Sequence, residues 1–181
     1  MNYCSHCGSD QLAWRVPPED THPRFVCGVC HTIHYQNPKV VTGCLPVWED
    51  RVLLCRRAIE PMHGLWNVPS GFLENGESVS EGARREVREE AEAEVEIGHL
   101  ITLYSIERIN QVYLQFVGRL VDGAFGVGVE SLETKLFTEE EVPWDEIAFT
   151  SSEFTLRHYF ADRARGLQQL HRASYPATGP R

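Results

Sequence analysis

Residues 71–90 read GFLENGESVSEGARREVREE, and this stretch decides the expected fold of most of the chain. Ser78 followed by Glu81 has the spacing of a capping box, in which each side chain bonds the backbone N–H of the other residue. The run from Val79 to about Glu92 contains no proline. The sequence therefore predicts a helix with Ser78 as its N-cap.

The predicted helix carries three carboxylates on one face. Glu86, Glu89 and Glu90 stand at positions i, i+3 and i+4, which are neighbours on a helix. Like charges at this spacing destabilise a helix by roughly 0.2–0.5 kcal/mol per pair. A solvated helix with mixed charges could tolerate this repulsion, whereas Mg²⁺ or Mn²⁺ bound by the carboxylate oxygens would relieve it. Both interpretations stay open on the helix alone.

Two cysteine pairs stand near the N-terminus. Cys4-x-x-Cys7 and Cys27-x-x-Cys30 are separated by 19 residues, a spacing that fits a tetrahedral Zn²⁺ site of the zinc-ribbon kind. The alternatives are two disulfides or a redox pair. Four histidines could compete as ligands, namely His6, His22, His31 and His34. Four thiolates already complete the shell and leave no open position for catalysis, so we expect a structural zinc.

Composition limits the classes of partner. The chain has 181 residues, a formal net charge of −9 and a pI near 5.3, so nucleic acid is an unfavourable partner because phosphate attracts basic surfaces. No signal peptide and no apolar run of membrane-spanning length stands out. We therefore expect a cytoplasmic protein that does not enter the membrane.

Changes in composition along the chain predict three regions. Residues 1–36 form a small metal-stapled unit, residues 37–170 form the main domain, and residues 171–181 form a disordered tail. Strands are predicted at 40–48, 52–56, 95–104, 111–121 and 134–138, a loop at 67–71, and a second helix at 151–166. Cys44 and Cys55 are expected to be buried strand residues.

The stretch that begins at Gly71 resembles the Nudix box, G-x5-E-x7-R-E-U-x-E-E-x-G-U, where U is a bulky aliphatic residue. The seven matching positions are Gly71, Glu77, Arg85, Glu86, Val87, Glu89 and Glu90. The chain departs at the end of the pattern, with Glu92 in place of glycine and Ala93 in place of the aliphatic residue. With the cysteine pairs and residues 35–39, the chain is similar to a group that includes FAD and ADP-ribose diphosphatases.

The resemblance implies an α+β fold, a Nudix α/β/α sandwich with a mixed β-sheet, preceded by a small zinc ribbon. It also implies hydrolysis of the pyrophosphate bond in a nucleoside-diphosphate compound, with FAD, ADP-ribose or NADH as leading small-molecule substrates, and a homodimer. The alternative from another class is a zinc-ribbon binding or regulatory module on an inactive Nudix scaffold.

The resemblance further implies roles for the box residues. The implied catalytic set is Glu77, Arg85, Glu86, Glu89 and Glu90. Glu86 and Glu90 would be the main ligands of Mg²⁺ or Mn²⁺, and Glu89 a third ligand or the general base. Gly71 would offer its backbone carbonyl to the metal. Arg85 would pair with Glu77 and hold the preceding loop against the helix.

Residues outside the box are candidates for the substrate wall. Those that could meet phosphate are Arg56, Arg57 and Arg108, and those that could stack on a base are Tyr35, Phe72 and Tyr113. Each of them has a plainer interpretation as a packing residue or a surface charge, and Trp66 as a core residue. Glu130, Glu133 or the run at 139–141 could supply a remote base or form an ordinary acidic face.

Overall fold

The computed structural model describes residues 1–175, and the chain divides into two units, Met1–Pro38 and Lys39–Arg181. The smaller unit holds a three-stranded antiparallel sheet in the order β1-β2-β3. Its strands are β1 (Leu12–Arg15), β2 (Arg24–Cys27) and β3 (Ile33–His34). Its buried apolar side chains are Cys4, Pro17, Val26 and Cys27, so this sheet has very little apolar core.

A mixed sheet forms the centre of the described part of the larger unit. Its strands are β4 (Lys39–Trp48), β5 (Arg51–Arg57), β6 (Trp66–Asn67), β7 (Ser70–Phe72), β8 (Val95–Ile106), β9 (Gln111–Leu120), β10 (Ser131–Phe137) and β11 (His171–Tyr175). The main order is β10-β5-β4-β9-β8-β11, while β6 pairs with β5 and β7 with β4. The pairs β4–β9 and β8–β11 are parallel and the others are antiparallel.

Two helices cover opposite faces of this sheet. They are α1 (Val79–Ala91) and α2 (Thr150–Arg165), and short 3₁₀ turns lie at Glu107–Ile109 and Trp144–Glu146. Cys44 of β4 packs in one core cluster with Val87 of α1, whereas its neighbour Leu45 packs in another with Leu156 of α2. Successive strand residues point to opposite faces, so the layers run helix, sheet, helix. The expected α+β class with a mixed sheet is confirmed, and Cys44 and Cys55 are buried as expected.

The start of α1 is the capping box that the sequence predicts. Ser78 accepts a hydrogen bond from the backbone N–H of Glu81, and the Glu81 side chain accepts one from the backbone N–H of Ser78. The end differs from the usual glycine stop, because Glu92 itself takes the left-handed conformation with φ 47° and ψ 36°. A residue with a Cβ adopts this conformation at a cost of about 1 kcal/mol, so the helix end needs support from elsewhere.

Two sequence expectations are wrong. Residues 67–71 are not a continuous loop, because β6 and β7 make main-chain ladders to β5 and β4 on either side of Val68 and Pro69. The expected disordered tail begins too early: residues 171–175 form β11, paired with β8 and tied to α2 by a 2.7 Å contact between His171 Nε2 and Asp162 Oδ2. Residues 176–181, the rest of that expected tail, lie outside the described residues.

No helix within residues 1–175 is both long and apolar enough to cross a membrane.

Candidate active site

α1 directs two buried carboxylates at the segment that precedes it. Glu86 and Glu90 are 8% and 6% exposed, while Glu89 is exposed. The Ser70 N–H donates a 3.0 Å hydrogen bond to Glu90 Oε1. A Cβ at position 71 would collide with the Glu86 carboxylate, so glycine is what allows β7 to pass this close to the helix.

Burial changes the acidity of both carboxyl groups. It raises the pKa of Glu90 to about 8, although the hydrogen bond from Ser70 opposes the change. It raises the pKa of Glu86 to about 6, against the opposing effect of Arg85. Bringing a cation close would favour the charged forms again. Carboxylate oxygens beside a backbone carbonyl are ligands that hard divalent cations prefer, so the donor set fits Mg²⁺ or Mn²⁺.

The three box carboxylates line a face and do not form a closed cage. Within residues 1–175, the only group of three or more potential ligand side chains whose donor atoms lie within 4.8 Å of one another is the cysteine quartet. Glu86 and Glu89 share Arg85 Nη1 at 2.8 and 2.9 Å, and Glu90 is held by Ser70. Arg85 therefore positions two of the carboxylates, and the Ser70 backbone positions the third.

Arg85 ties the helix to the segment before it. Its guanidinium donates to both carboxylate oxygens of Glu77, at 3.1 and 2.9 Å, and to the backbone oxygen of Phe72 at 3.1 Å. These bonds hold the pKa of Glu77 down at about 2, with a further contribution from the backbone N–H of Glu74. Such a bidentate pair combines strength with a defined geometry, so it fixes β7 relative to the acidic face.

A fourth carboxylate acts electrostatically on the same site. The charge of Glu130, which is exposed just before β10, raises the pKa values of both Glu86 and Glu90. From the sequence, Glu130 is only one of several acidic residues that could supply a remote base. What distinguishes it is its neighbour Ser131, whose hydroxyl donates a 2.7 Å bond to the backbone oxygen of Glu90. That tertiary contact has no signature in the sequence.

Arg57 is the substrate-wall candidate whose charge acts on one of the buried carboxylates. Its charge lowers the pKa of both Glu90 and Tyr113. Its Nε donates to the backbone oxygen of Pro61 at 2.8 Å, and its guanidinium lies 5.1 Å from the ring centroid of Phe149. Phe149 was not anticipated from the sequence, and this stacked pair stands at the N-terminal end of α2.

The other wall candidates are dispersed. Arg56 donates to the backbone oxygen of Gly64 at 2.8 Å and lies 3.9 Å from Glu133. Phe72 is half exposed, and Lys39 Nζ lies over its ring.

Tyr113 is buried in a cluster with Tyr104, and its hydroxyl donates to Gln111. Arg108 is exposed on the 3₁₀ turn, and Tyr35 belongs to the smaller unit, where Arg24 lies over its ring. Trp66 is buried against Phe137, as expected of a core residue.

The four cysteines of the smaller unit form a second candidate metal centre. Their Sγ atoms all lie within 4.8 Å of one another, and none is in a disulfide. Hydrogen bonds from the hydroxyl and backbone of Thr32 lower the pKa of Cys30 to about 6, which favours the thiolate that zinc requires. His34 is the histidine beside the quartet, with Nε2 3.3 Å from Cys4 Sγ.

The C-terminal turn of α1 is completed by the segment between β9 and β10. The N–H groups of Gly126 and Gly128 donate to the backbone oxygens of Ala91 and Glu90, at 2.7 and 3.1 Å. A Cβ at position 128 would collide with the backbone oxygen of Glu89. These bonds satisfy carbonyls that a helix end leaves free, and they supply the support that the glutamate at position 92 makes necessary.

We expect Gly128→Ala to lower the free energy of unfolding by about 1–3 kcal/mol, because an added methyl group meets backbone that cannot turn aside. Gly126→Ala is the matched control. Its Cβ would meet the Glu92 side chain, which can move, so a smaller loss is expected. Urea denaturation measures both variants. Equal losses would contradict this account of the helix end.

Comparison with known proteins gives this arrangement its family. A family model described as "Nudix N-terminal", a zinc ribbon, matches residues 2–36, and one described as "NUDIX domain" matches residues 37–162. The chain belongs to the Nudix family. The resemblance carried by the box is thus confirmed, and so is the expected class of enzyme, a Nudix pyrophosphohydrolase, at the level of the family.

Curated relatives of this Nudix chain differ in their named substrates. It is 26% identical over 113 residues to an ADP-ribose pyrophosphatase of Methanocaldococcus jannaschii, covering 60% of this chain and 67% of the relative. It is 31% identical over 101 residues to the human 8-oxo-dGDP phosphatase NUDT18, covering 52% and 30%. It is 32% identical over 100 residues to the NAD-capped RNA hydrolase NudC of Vibrio atlanticus, covering 52% and 33%. The matches to the last two therefore span about a third of those proteins.

Solved Nudix structures match more of the chain. A Nudix hydrolase from Nitrosomonas europaea has 48% identity and a TM-score of 0.93, with 97% of this chain and 99% of that one covered. An ADP-ribose pyrophosphatase from Streptococcus suis has 21% identity and a TM-score of 0.60, covering 77% and 100%. The second likeness concerns the fold alone.

Proposed function

We propose that this Nudix chain uses a divalent cation to hydrolyse the pyrophosphate bond of a small nucleoside-diphosphate compound. The observation that carries the proposal is the pair of buried carboxylates, Glu86 and Glu90, held beside Gly71 on a desolvated helix face. Relatives named for ADP-ribose, 8-oxo-dGDP and NAD-capped RNA support this substrate class, because each compound contains a diphosphate attached to a nucleoside. FAD, ADP-ribose and NADH are the leading candidates.

Glu86 and Glu90 would hold Mg²⁺ or Mn²⁺ through their carboxylate oxygens, with Glu89 and the Gly71 carbonyl beside them. When bound, the cation supplies Lewis-acid stabilisation of the charge that develops on the phosphates. Arg85 keeps two of these carboxylates oriented through its bonds to Glu86 and Glu89. The fixed geometry reduces the reorganisation that the reaction requires.

The remaining chemistry needs a base and a phosphate contact. A water oxygen attacks one phosphorus, the bond from that phosphorus to the bridging oxygen breaks, and two phosphate monoesters leave. The water proton passes to an exposed carboxylate, for which Glu89 and Glu130 are the candidates. Arg57 would contact the diphosphate, because it pairs across the β5–β10 ladder with Ser131, whose hydroxyl bonds the backbone oxygen of Glu90.

The smaller unit would hold one structural zinc. Cys4, Cys7, Cys27 and Cys30 would each give a thiolate, which completes a tetrahedral shell and leaves no position for a substrate. The homodimer and the cytoplasmic location expected from the sequence stay predictions.

A metal-controlled substrate panel tests the proposed function. Protein dialysed against chelator is expected to be inactive, and Mg²⁺ or Mn²⁺ should restore activity, because the buried carboxylates alone cannot stabilise phosphate charge. The panel contains FAD, ADP-ribose, NADH, diadenosine polyphosphates and nucleoside triphosphates, with products separated by ion exchange. We expect AMP from at least one of the first three. The absence of any metal-dependent phosphate monoester would instead favour a binding module on an inactive scaffold.

A further inference from the structure

A buried polar layer lies between the sheet and α2. Its side chains are less than 2% exposed and belong to Asn67, Thr102, Gln115, Ser151, Ser152 and Thr155. Burying a polar group costs free energy unless it is hydrogen-bonded. The hydrogen bonds of this layer therefore show which groups its hydroxyls and amides orient.

One chain of hydrogen bonds leads from α2 to the candidate metal site. The Ser152 hydroxyl donates to Asn67 Oδ1 at 2.6 Å, and Asn67 Nδ2 donates to Ser70 Oγ at 3.4 Å. The Ser70 hydroxyl in turn donates to the backbone oxygen of Val68 at 2.9 Å. The backbone N–H of Ser70 donates to Glu90 Oε1. The chain thus joins α2 to a carboxylate on the opposite helix.

The segment that carries Ser70 is also anchored by its backbone. The Cys44 N–H donates to the Pro69 oxygen at 3.1 Å, and the Ala148 N–H donates to the Trp66 oxygen at 2.8 Å. The two backbone anchors hold the segment to β4 and to the residues before α2. The side-chain bonds through Asn67 act between these anchors and end at Ser70, whose N–H donates to Glu90.

We propose that Ser152 and Asn67 are positioning residues for the catalytic metal site. By fixing Ser70 they hold the buried carboxylate of Glu90 in the orientation that a divalent cation needs. The inference rests on the proposed function, because it takes Glu90 to be a metal ligand. Neither residue lies in the box, and both lie outside the face of α1 that carries the ligands.

The test is a titration of the protein with Mn²⁺ alone. Electron paramagnetic resonance measures the concentration of free Mn²⁺, and the dissociation constant follows from it. Groups that orient ligands typically contribute about 10- to 100-fold to metal affinity. Asn67 and Ser152 contact Glu90 only through Ser70, so smaller effects are expected. The dissociation constant of Mn²⁺ should rise about fivefold in Ser152→Ala and about tenfold in Asn67→Ala. Saturating Mn²⁺ should restore most of kcat, and KM for the nucleotide should stay unchanged. A loss of general stability would not produce this pattern.

Ser151→Ala is the matched control. Ser151 is the adjacent, equally buried serine of α2, and its hydroxyl has no hydrogen-bond partner within residues 1–175. It should bind Mn²⁺ as the unmodified protein does. If Ser152 acts through Asn67, the double variant Ser152→Ala/Asn67→Ala should be no weaker than Asn67→Ala alone. Should Asn67→Ala fail to fold, the comparison of Ser152→Ala with Ser151→Ala decides.

Glu90→Gln separates this inference from the proposed function. If it leaves Mn²⁺ binding unchanged, Glu90 is not a ligand, and both its assignment and the positioning role are wrong, while the substrate panel still decides the proposed hydrolysis. If it abolishes binding while Ser152→Ala matches Ser151→Ala, the positioning role alone is wrong. Weaker binding in Ser152→Ala than in Ser151→Ala, together with the loss in Glu90→Gln, supports both.

Discussion

Replacing Glu86 by glutamine is expected to lower kcat by on the order of 10³, with the folded structure retained. Glutamine keeps the shape of the side chain and removes the negative charge. The charge is what would hold the cation, because the Glu86 carboxylate lies buried against Gly71. Steady-state kinetics with saturating Mg²⁺ measures the loss.

The expected effect of this replacement on folding is small. Burial raises the pKa of Glu86, so its ionised form is disfavoured in the metal-free protein, and the neutral amide avoids that cost. Loss of the bond from Arg85 acts in the other direction, and the net change should be within about 1 kcal/mol. Glu94→Gln, which removes an exposed carboxylate paired with Arg88, is the control for charge alone and should keep full activity. Unchanged turnover in Glu86→Gln would refute the assignment.

Cys27→Ser is expected to remove the zinc and the folded state of residues 1–38. Cys27 is fully buried and lies 3.6 Å from Cys7, and the unit around it has almost no apolar core. Structural zinc contributes about 10–16 kcal/mol of binding free energy in small units, so its loss cannot be offset. Elemental analysis should show zinc falling from one per chain to none, and limited proteolysis should cut within the first 38 residues.

The control is Cys44→Ala, which changes an equally buried cysteine outside the quartet. It should keep one zinc per chain and resist cleavage in the smaller unit. A Cys27→Ser protein that still holds one zinc would show that the quartet is not the metal site.

Local signals in the sequence account for α1 and for most strands. The capping box at Ser78 and the largely apolar run of β4 are contained within a few residues, so their interpretation needs no knowledge of the fold. β11 differs, because its hydrogen bonds go to β8 and its anchor is Asp162, and the sequence near the chain end shows neither. Pairing between distant segments is a tertiary property.

The candidate site divides in the same way. The spacing of Glu86, Glu89 and Glu90 is visible because all three lie on one helix. Glu130 acts on Glu90 from the residue before β10, and the bond of Ser152 to Asn67 spans 85 residues. The separation of Tyr113 from the exposed candidates follows from burial in a cluster with Val41, which depends on the parallel pairing of β4 and β9.

The replacement of the usual box glycine by Glu92 has an evolutionary consequence. The last carbonyl groups of α1 accept hydrogen bonds from the N–H groups of Gly126 and Gly128. The helix end therefore depends on a segment that is encoded in a distant part of the gene. With a non-glycine residue at position 92, the helix end needs the hydrogen bonds from Gly126 and Gly128. An insertion between β9 and β10 would remove these bonds. Among homologues, the residue at position 92 and the length of the β9–β10 connection should therefore change together.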